Sequence, residues 1–264
     1  MSNNYSILFL DIDGTILTPE DTIQDSTKKA IQIMKENGVE VFLATGRPLH
    51  EIMDIGEVLG IKSFIGYNGT YAIHNGVDIF KEPMSSKLVT SYLNIANENN
   101  NELILYTNTH NLLSHPESEI TKQFCKKFHL KKNRKFTLDE KENILGITIT
   151  NLKEEDIHLY NAFSEVHLSQ VNIDGYRNSY DVISDKVNKG FAVSTVMSKL
   201  GINKEQAIAF GDGLNDKEML QVVGEGFAMG NAHEMLFSYA KHKTTSVTES
   251  GIYNGLKWLG LITE

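Results

Sequence analysis

An apolar run, Ile7-Leu8-Phe9-Leu10, passes directly into Asp11-Ile12-Asp13-Gly14-Thr15. Four branched or aromatic apolar residues in succession read as a buried strand, and two carboxylates stand where it ends. Side chains two apart on a strand share a face, so Asp11 and Asp13 converge on one ligand wherever the strand geometry persists, while Gly14 lets the chain turn away. Like charges this close call for a cation or a shared proton. The plainer alternative is a strand-ending turn, since Asp and Gly favour turns in any fold.

The 264 residues, 41% hydrophobic and 22% charged, allow one large or two modest globular domains with a sizeable core. No apolar stretch approaches a membrane span, and Met1-Ser2-Asn3-Asn4 lacks the basic and long apolar regions of a secretory signal. A cytoplasmic protein with no membrane partner is therefore expected. The single cysteine, Cys125, forms no internal disulfide and reads as a small hydrophobe on a helix. A net charge of -9 argues against nucleic acid, whose binding needs a dense positive surface. It also means that an anionic substrate would require a divalent cation and a few placed basic groups. The nine histidines form no pair at zinc-hydrolase spacing. Carboxylate oxygens with little His or Cys nearby suit Mg2+ instead.

Strand and helix signals alternate through the first third. After the first strand, Asp25 or Ser26 can cap a helix through Met34 that Gly38 ends; Val39 to Ala44 reads as a strand, Pro48 to Leu59 as a helix ended by Gly60, and Phe64 to Tyr67 as a third strand. The rhythm returns late, with helix Gly190 to Leu200, strand Ala207 to Phe210, helix Asp216 to Val223, an apolar segment Gly226 to Met229 and helix Asn231 to Tyr239. The two ends are expected to build one sheet. Between them the texture changes, with alternating strands Leu103 to Tyr106 and Ile144 to Thr150 and helices near Ser86 to Ala96 and Glu119 to Phe128. Asn75-Gly76 marks a hairpin ahead of this stretch. The expected fold class is α/β: a Rossmann-like parallel sheet core with helices on both faces, from residues 1–83 and 188–264, plus an inserted α+β domain at 84–187. Open α/β sheets bind ligands beyond the carboxyl ends of their strands, where such an insertion could cover the site.

Three further segments suit phosphoryl transfer. Leu43-Ala44-Thr45-Gly46-Arg47 ends an apolar strand, where a Thr hydroxyl and a Gly amide can hold phosphate oxygens near a helix start. A capped turn, with Pro48 opening the helix, explains it equally well. Val187-Asn188-Lys189-Gly190 opens a helix with a lysine that mildly opposes the dipole, though such a lysine is usually solvated. Phe210-Gly211-Asp212-Gly213-Leu214-Asn215-Asp216 runs from a strand end into a helix and packs acids and an amide between glycines. Asn215 or Asp216 could equally be an ordinary cap. Neither this loop nor Gly224-Glu225-Gly226 has dinucleotide-fingerprint spacing.

The order and joint occurrence of the four segments, across essentially the whole chain, resemble the haloacid dehalogenase-like superfamily. The position of the insertion, between the second and third motifs, resembles its Cof-type phosphatases, which carry a C2-type (class IIB) cap. The resemblance implies that Asp11 attacks phosphorus to form an aspartyl phosphate and that Asp13 serves as acid and then base. Mg2+ would sit on Asp11, the Asp13 backbone carbonyl and Asp212, with Asp216 holding coordinated water or orienting Lys189. Thr45, the Gly46 amide, the Ile12 amide, Lys189 and Asn215 would surround the phosphoryl group. The implied activity is Mg2+-dependent hydrolysis of small phosphomonoesters (sugar phosphates, phosphorylated cofactors or nucleotides), the partner being a small phosphorylated metabolite.

Ion-pumping relatives carry Thr where this chain has Asp13 and need membrane helices. A sugar phosphomutase or phosphotransferase of the superfamily is a closer rival. A non-catalytic phospho-ligand-binding regulator is a third reading, against which the intact set Asp11, Asp13, Lys189 and Asp212 argues. In the insertion, Lys122, Lys126, Lys127, Lys131, Lys132, Arg134 and Lys135 form a basic run that reads first as a solvated helix face and charged loop, and only second as a steering surface. Phe124 and Phe128, four apart, read as core positions. His110, His115, Tyr176 and Arg177 are polar or aromatic insertion residues with no assigned role.

Overall fold

The computed structural model describes residues 5–171 and 175–263; the amino-terminal segment read above for a secretory signal lies outside them. In chain order the strands are β1 (Ile7–Leu10), β2 (Glu40–Ala44), β3 (Ser63–Gly66), β4 (Tyr71–His74), β5 (Val77–Lys81), β6 (Glu102–Tyr106), β7 (Asn111–Leu113), β8 (Asn133–Lys135), β9 (Gly146–Thr150), β10 (Val166–Gln170), β11 (Tyr180–Ser184), β12 (Ala207–Gly211), β13 (Glu225–Ala228) and β14 (His242–Lys243). The α-helices are α1 (Asp25–Glu36), α2 (Met53–Leu59), α3 (Ser86–Asn99), α4 (Glu119–Lys127), α5 (Ile157–Tyr160), α6 (Lys189–Leu200), α7 (Lys217–Val222) and α8 (Gly251–Trp258). Among the described residues no helix is long and apolar enough to cross a membrane.

The chain forms two compact units: Met1–Gly46, Asp54–Phe80 and Asn188–Glu264 in the first, Arg47–Met53 and Lys81–Val187 in the second. The two ends of the chain share one eight-stranded sheet in the first unit, in the order β14-β13-β12-β1-β2-β3-β4-β5. The pairs from β14 to β3 are parallel, and β4 turns antiparallel onto β3. Chain order reverses between β1 and β12, the switch point at which open α/β sheets form their ligand crevice.

Alternation along the buried strands places helices on both faces of this sheet. Ile7, Phe9, Phe42, Ala44, Ala207 and Ala209 pack with Ala192, Val193 and Val196 of α6 and Met219 and Leu220 of α7. On the opposite side, α8 approaches so closely that a Cβ on Gly255 would lie 2.5 Å from the Phe210 ring, and that ring stacks on Phe227 at 4.6 Å. Helix α1 buries Thr27, Ala30, Ile31 and Met34, the spacing of one helical face.

Local differences from the sequence reading have plain causes. Asp25 and Ser26 lie inside α1, because the extended cap residue is Gln24. Pro48 to Leu59 is a 3-10 turn at Leu49–Glu51 followed by α2. Asn231 to Tyr239 contains only the 3-10 turn Glu234–Ser238, in which Leu236 alone is buried, too small an apolar face to hold a full helix. Asn75 and Gly76 both take positive φ, 50° and 81°, as a two-residue hairpin between β4 and β5 requires.

In the second unit the sheet order is β10-β11-β9-β6-β7-β8, antiparallel except for β7 with β8. One face buries Leu103, Leu105, Ile147, Ile149 and Val182 against Leu88, Val89 and Tyr92 of α3. On the other, Ile104 and Leu113 meet Phe124 and Cys125 of α4. Cys125 is buried and its thiol is pushed up to about 11 by burial, as an inert packing residue would be. Phe124 and Phe128 stack at 4.2 Å with Tyr176 edge-on to both. Within the basic run, Lys122 pairs with Glu117 and Glu119, and Arg134 pairs with Glu140.

Arg47–Met53, which the sequence reading counts with the core, groups with the second unit, where a buried carboxylate of the segment is held by three donors. The Glu51 side chain is 5% exposed, and its Oε1 accepts hydrogen bonds from Asn111 Nδ2 at 2.6 Å, Lys131 N at 2.8 Å and Lys132 N at 3.2 Å. Glu51→Ala strips these donors of their acceptor and should destabilise the second unit by about 2–3 kcal/mol. A urea-unfolding midpoint equal to that of the parent protein would contradict this.

Candidate active site

Adjacency in the sheet brings the distant motifs together. Leu10 of β1 is in register with Phe210 of β12, and Asp11 N continues the ladder to Phe210 O at 3.0 Å. The residues just past the two strand ends, Asp11 and Asp212, therefore start from backbones one inter-strand spacing apart. Between them Gly14, at φ +80°, carries the backbone of the loop after β1 so close that a Cβ would lie 2.2 Å from Asp212 Oδ2. Only glycine satisfies both the left-handed backbone and this approach.

Lys189, the first residue of α6, is completely buried, with Asn188 capping the helix by accepting from Phe191 N at 3.0 Å. Its Nζ donates to Asp11 Oδ1 and to Asp216 Oδ1, both at 2.6 Å. The second Asp216 oxygen accepts from the Asp212 and Gly213 amides, each at 3.0 Å. Asp216 is thus held on both oxygens and acts as the brace that fixes Lys189 and the loop after β12. Asp212 is gripped differently: Thr15 Oγ1 donates to Oδ1 at 3.0 Å and Asn231 Nδ2 approaches Oδ2 at 3.4 Å.

Oxygens of Asp11, Asp212 and Asp216 lie within 4.8 Å of one another. Burial, reinforced by Asp216, drives the Asp11 carboxyl well above the ordinary carboxylate range, with Lys189 opposing the shift. Burial and then Asp216 push Asp212 up to about 7. Burial alone would discharge Lys189, but Asp11 and Asp216 outweigh it and hold the ammonium charged. Three carboxylates against one ammonium leave two formal negative charges, and the donor set is oxygen only. Both features fit a hard divalent cation such as Mg2+.

The other expected residues lie in the first unit, with Asp13 exposed just past Asp11. Thr45 is buried, its amide bonded to Ile65 O and its carbonyl accepting from Asn68 N at 3.1 Å. Ile12 is buried, and its carbonyl gathers the Ile16 and Leu17 amides, closing the turn after β1. Asn215 is exposed and donates from Nδ2 to Asn68 Oδ1 at 3.0 Å.

Three contributors escaped the sequence reading. Thr15 was quoted only as the end of its motif. Asn231 donates to Gly14 O at 2.8 Å and accepts from Val247 N at 2.8 Å, tying the loop after β1 to the loop after β13. Asn68 follows β3. The available signal was Asn68-Gly69, a turn dipeptide at a strand's carboxyl end in an α/β pattern.

A doubly wound sheet with buried carboxylates and a lysine at its switch point places the chain among the α/β proteins that bind ligands in such a crevice. The comparisons are specific. The haloacid dehalogenase-like hydrolase model matches residues 8–256, and the chain belongs to that family. YkrA of Bacillus subtilis (strain 168), provisionally named a phosphatase, is 32% identical over 259 residues, 97% of this chain and 98% of YkrA. The 5-amino-6-(5-phospho-D-ribitylamino)uracil phosphatase YitU of the same organism is 27% identical over 263 residues, 95% of this chain and 96% of YitU. The solved subclass IIB sugar phosphatase BT4131 superposes with a TM-score of 0.83 at 25% identity, covering 97% of this chain and all of that one.

The charge excess predicts how stability responds to pH and metal. The folded-state pKa of Asp212, about 7, lies above its ordinary 3.8, and the Asp11 shift has the same sign. Stability from these groups is therefore fully present below the ordinary value and is lost as pH rises through about 7. In a chelator Tm should fall across that interval, and the rise in Tm on adding Mg2+ should be larger at about pH 8 than at about pH 5. Equal increments at the two pH values would contradict the cluster's charge state.

Proposed function

We propose that the protein is a magnesium-dependent phosphatase that hydrolyses small phosphomonoesters through an aspartyl-phosphate intermediate. The observation that carries this reading is the Lys189 bridge: a fully buried ammonium at 2.6 Å from both Asp11 and Asp216. It fixes one oxygen of Asp11 in the direction of attack and opposes the rise that burial and Asp216 impose on that carboxyl, so the ammonium favours the ionised form a nucleophile needs.

In the proposed reaction an Asp11 oxygen attacks phosphorus in line and the bond to the ester oxygen breaks, while Asp13 donates its proton to that leaving oxygen. The Asp13 carboxylate then takes a proton from water, whose oxygen attacks the phosphorus and releases phosphate from Asp11. The exposure of Asp13, against the burial of Asp11, supports this division, since the proton carrier must exchange with leaving group and water whereas the nucleophile must not move. Mg2+, when held by Asp11, Asp212 and the Asp13 backbone carbonyl, supplies positive charge against the transferring group. Asp216 braces Lys189, while Thr45, the Ile12 and Gly46 amides, Lys189 and Asn215 supply fixed donors around the phosphoryl oxygens.

The substrate class in this reading is a small phosphorylated metabolite in the cytoplasm rather than nucleic acid. Sugar phosphates, the substrate type in the name of BT4131, and the phosphorylated ribitylaminouracil in the name of YitU are the first to test. The Cof-type assignment gives residues 84–187 the role of a class IIB cap that selects the leaving group.

Release of phosphate from a generic aryl phosphate should require Mg2+, and Asp11→Asn should lower kcat by a factor on the order of 1000 or more. Undiminished hydrolysis in that variant would remove the nucleophile assignment. Isomerised sugar phosphate in excess of free phosphate would instead favour a mutase, and phosphate-ester binding without turnover a regulator. Asp13→Asn should lower kcat far more than it weakens inhibition by inorganic phosphate; the reverse order would argue against its acid and base role.

A further inference from the structure

The loop that follows β3 does more than turn the chain. Tyr67 and Asn68 both sit at φ +54° and Gly69 at φ +107°, three successive residues in a region that side chains other than glycine's resist. Each of the three motifs downstream of Asp11 meets this loop. A Cβ on Gly69 would lie 2.3 Å from the Asn188 carbonyl oxygen, beside the residue that caps α6 and precedes Lys189. Asn68 N donates to Thr45 O at 3.1 Å. The Asn68 side chain presses on Gly46, where a Cβ would lie 2.9 Å from Oδ1 and 3.2 Å from Nδ2. Its Oδ1 accepts from Asn215 Nδ2 at 3.0 Å.

We infer that Asn68 is a positioning residue of the phosphoryl site, whose side-chain carbonyl holds the Asn215 amide in place and joins the loop after β2 to the loop after β12. The inference rests on the phosphoryl-binding roles proposed above for Thr45, Gly46 and Asn215. Its physical basis is preorganisation. Asn215 is an exposed amide on a 3-10 turn, free in rotamer unless something holds it. A donor held in place before the anion arrives loses less entropy on binding than one that must be ordered by it. With one amide proton of Asn215 committed to Asn68, the remaining one is left with a defined direction. Asparagine also suits the position because, apart from glycine, it is among the residues that tolerate the left-handed conformation best.

A purely structural role for the loop is separated from this one by the choice of variant. Asn68→Gly keeps the positive-φ backbone and removes the side chain, the Oδ1 acceptor with it. Against a generic aryl phosphate with Mg2+, Asn68→Gly should raise KM and the inhibition constant of inorganic phosphate by roughly three- to tenfold, the worth of about one hydrogen bond, while kcat changes less. Asn215→Ala should behave alike, and the double variant should be no worse than Asn215→Ala alone. Unchanged KM and phosphate inhibition in Asn68→Gly, or penalties that add in the double variant, would overturn the inference.

A second readout keeps this test apart from the functional reading. Inorganic phosphate with Mg2+ should raise the Tm of the parent protein, and less so that of Asn68→Gly. If the parent failed to hydrolyse the ester yet gained Tm from phosphate, the phosphatase reading would fall while the Asn68 role was still decided by that difference. Equal phosphate effects on the two proteins, or none on either, would overturn the Asn68 inference and leave the phosphatase reading to the hydrolysis assay.

Discussion

A fully buried lysine keeps its charge only where anionic groups offset the lost hydration, and Lys189 meets that condition with two contacts at 2.6 Å. Desolvation of such a charge costs several kcal/mol before pairing offsets it, so the arrangement around it has little freedom. It needs α6 to begin at this point, Asp11 to end β1, and Asp216 to fold back under the loop after β12. The same pairing sets the chemistry. Asp216 spends its remaining oxygen on two loop amides, and Asp11 and Asp212 are left as the acids whose charge a cation must meet.

That dependence explains why so much of the core was readable from sequence. The strands that deliver Asp11, Thr45 and Asp212 are continuous apolar runs, and the helices between them carry apolar faces and glycine stops, so strand ends could be located closely and a parallel sheet inferred. Once the strands pair as β12-β1-β2, their carboxyl ends are neighbours regardless of sequence separation. Asp11, Thr45, Lys189 and the Asp212 to Asp216 loop were therefore visible as polar residues at the mouths of buried elements.

What escaped reading has a different physical character. Asn68 and Asn231 act through side-chain amides on loops, where asparagine is common for conformational reasons alone, and nothing local distinguishes a clamp from a turn. Thr15 reads in sequence as the end of a motif, whereas its hydroxyl donates to Asp212 across 197 residues of chain. The two-residue strand β14 has no apolar run of its own and exists because β13 offers it a parallel edge. Arg47–Met53 belongs with the second unit through the buried Glu51 carboxylate and its partners 60 and more residues away, a tertiary fact that periodicity does not carry.

In the proposed reaction phosphorus is bonded to Asp11 during turnover, and Asp13 governs its release. The most direct measurement is mass spectrometry of acid-quenched Asp13→Asn protein after mixing with an aryl phosphate and Mg2+, since loss of the base should let the intermediate accumulate. The account predicts a phosphoryl adduct on the peptide containing Asp11, absent when Asp11→Asn is added. An adduct on any other residue, or phosphate release that survives Asp11→Asn, would contradict it.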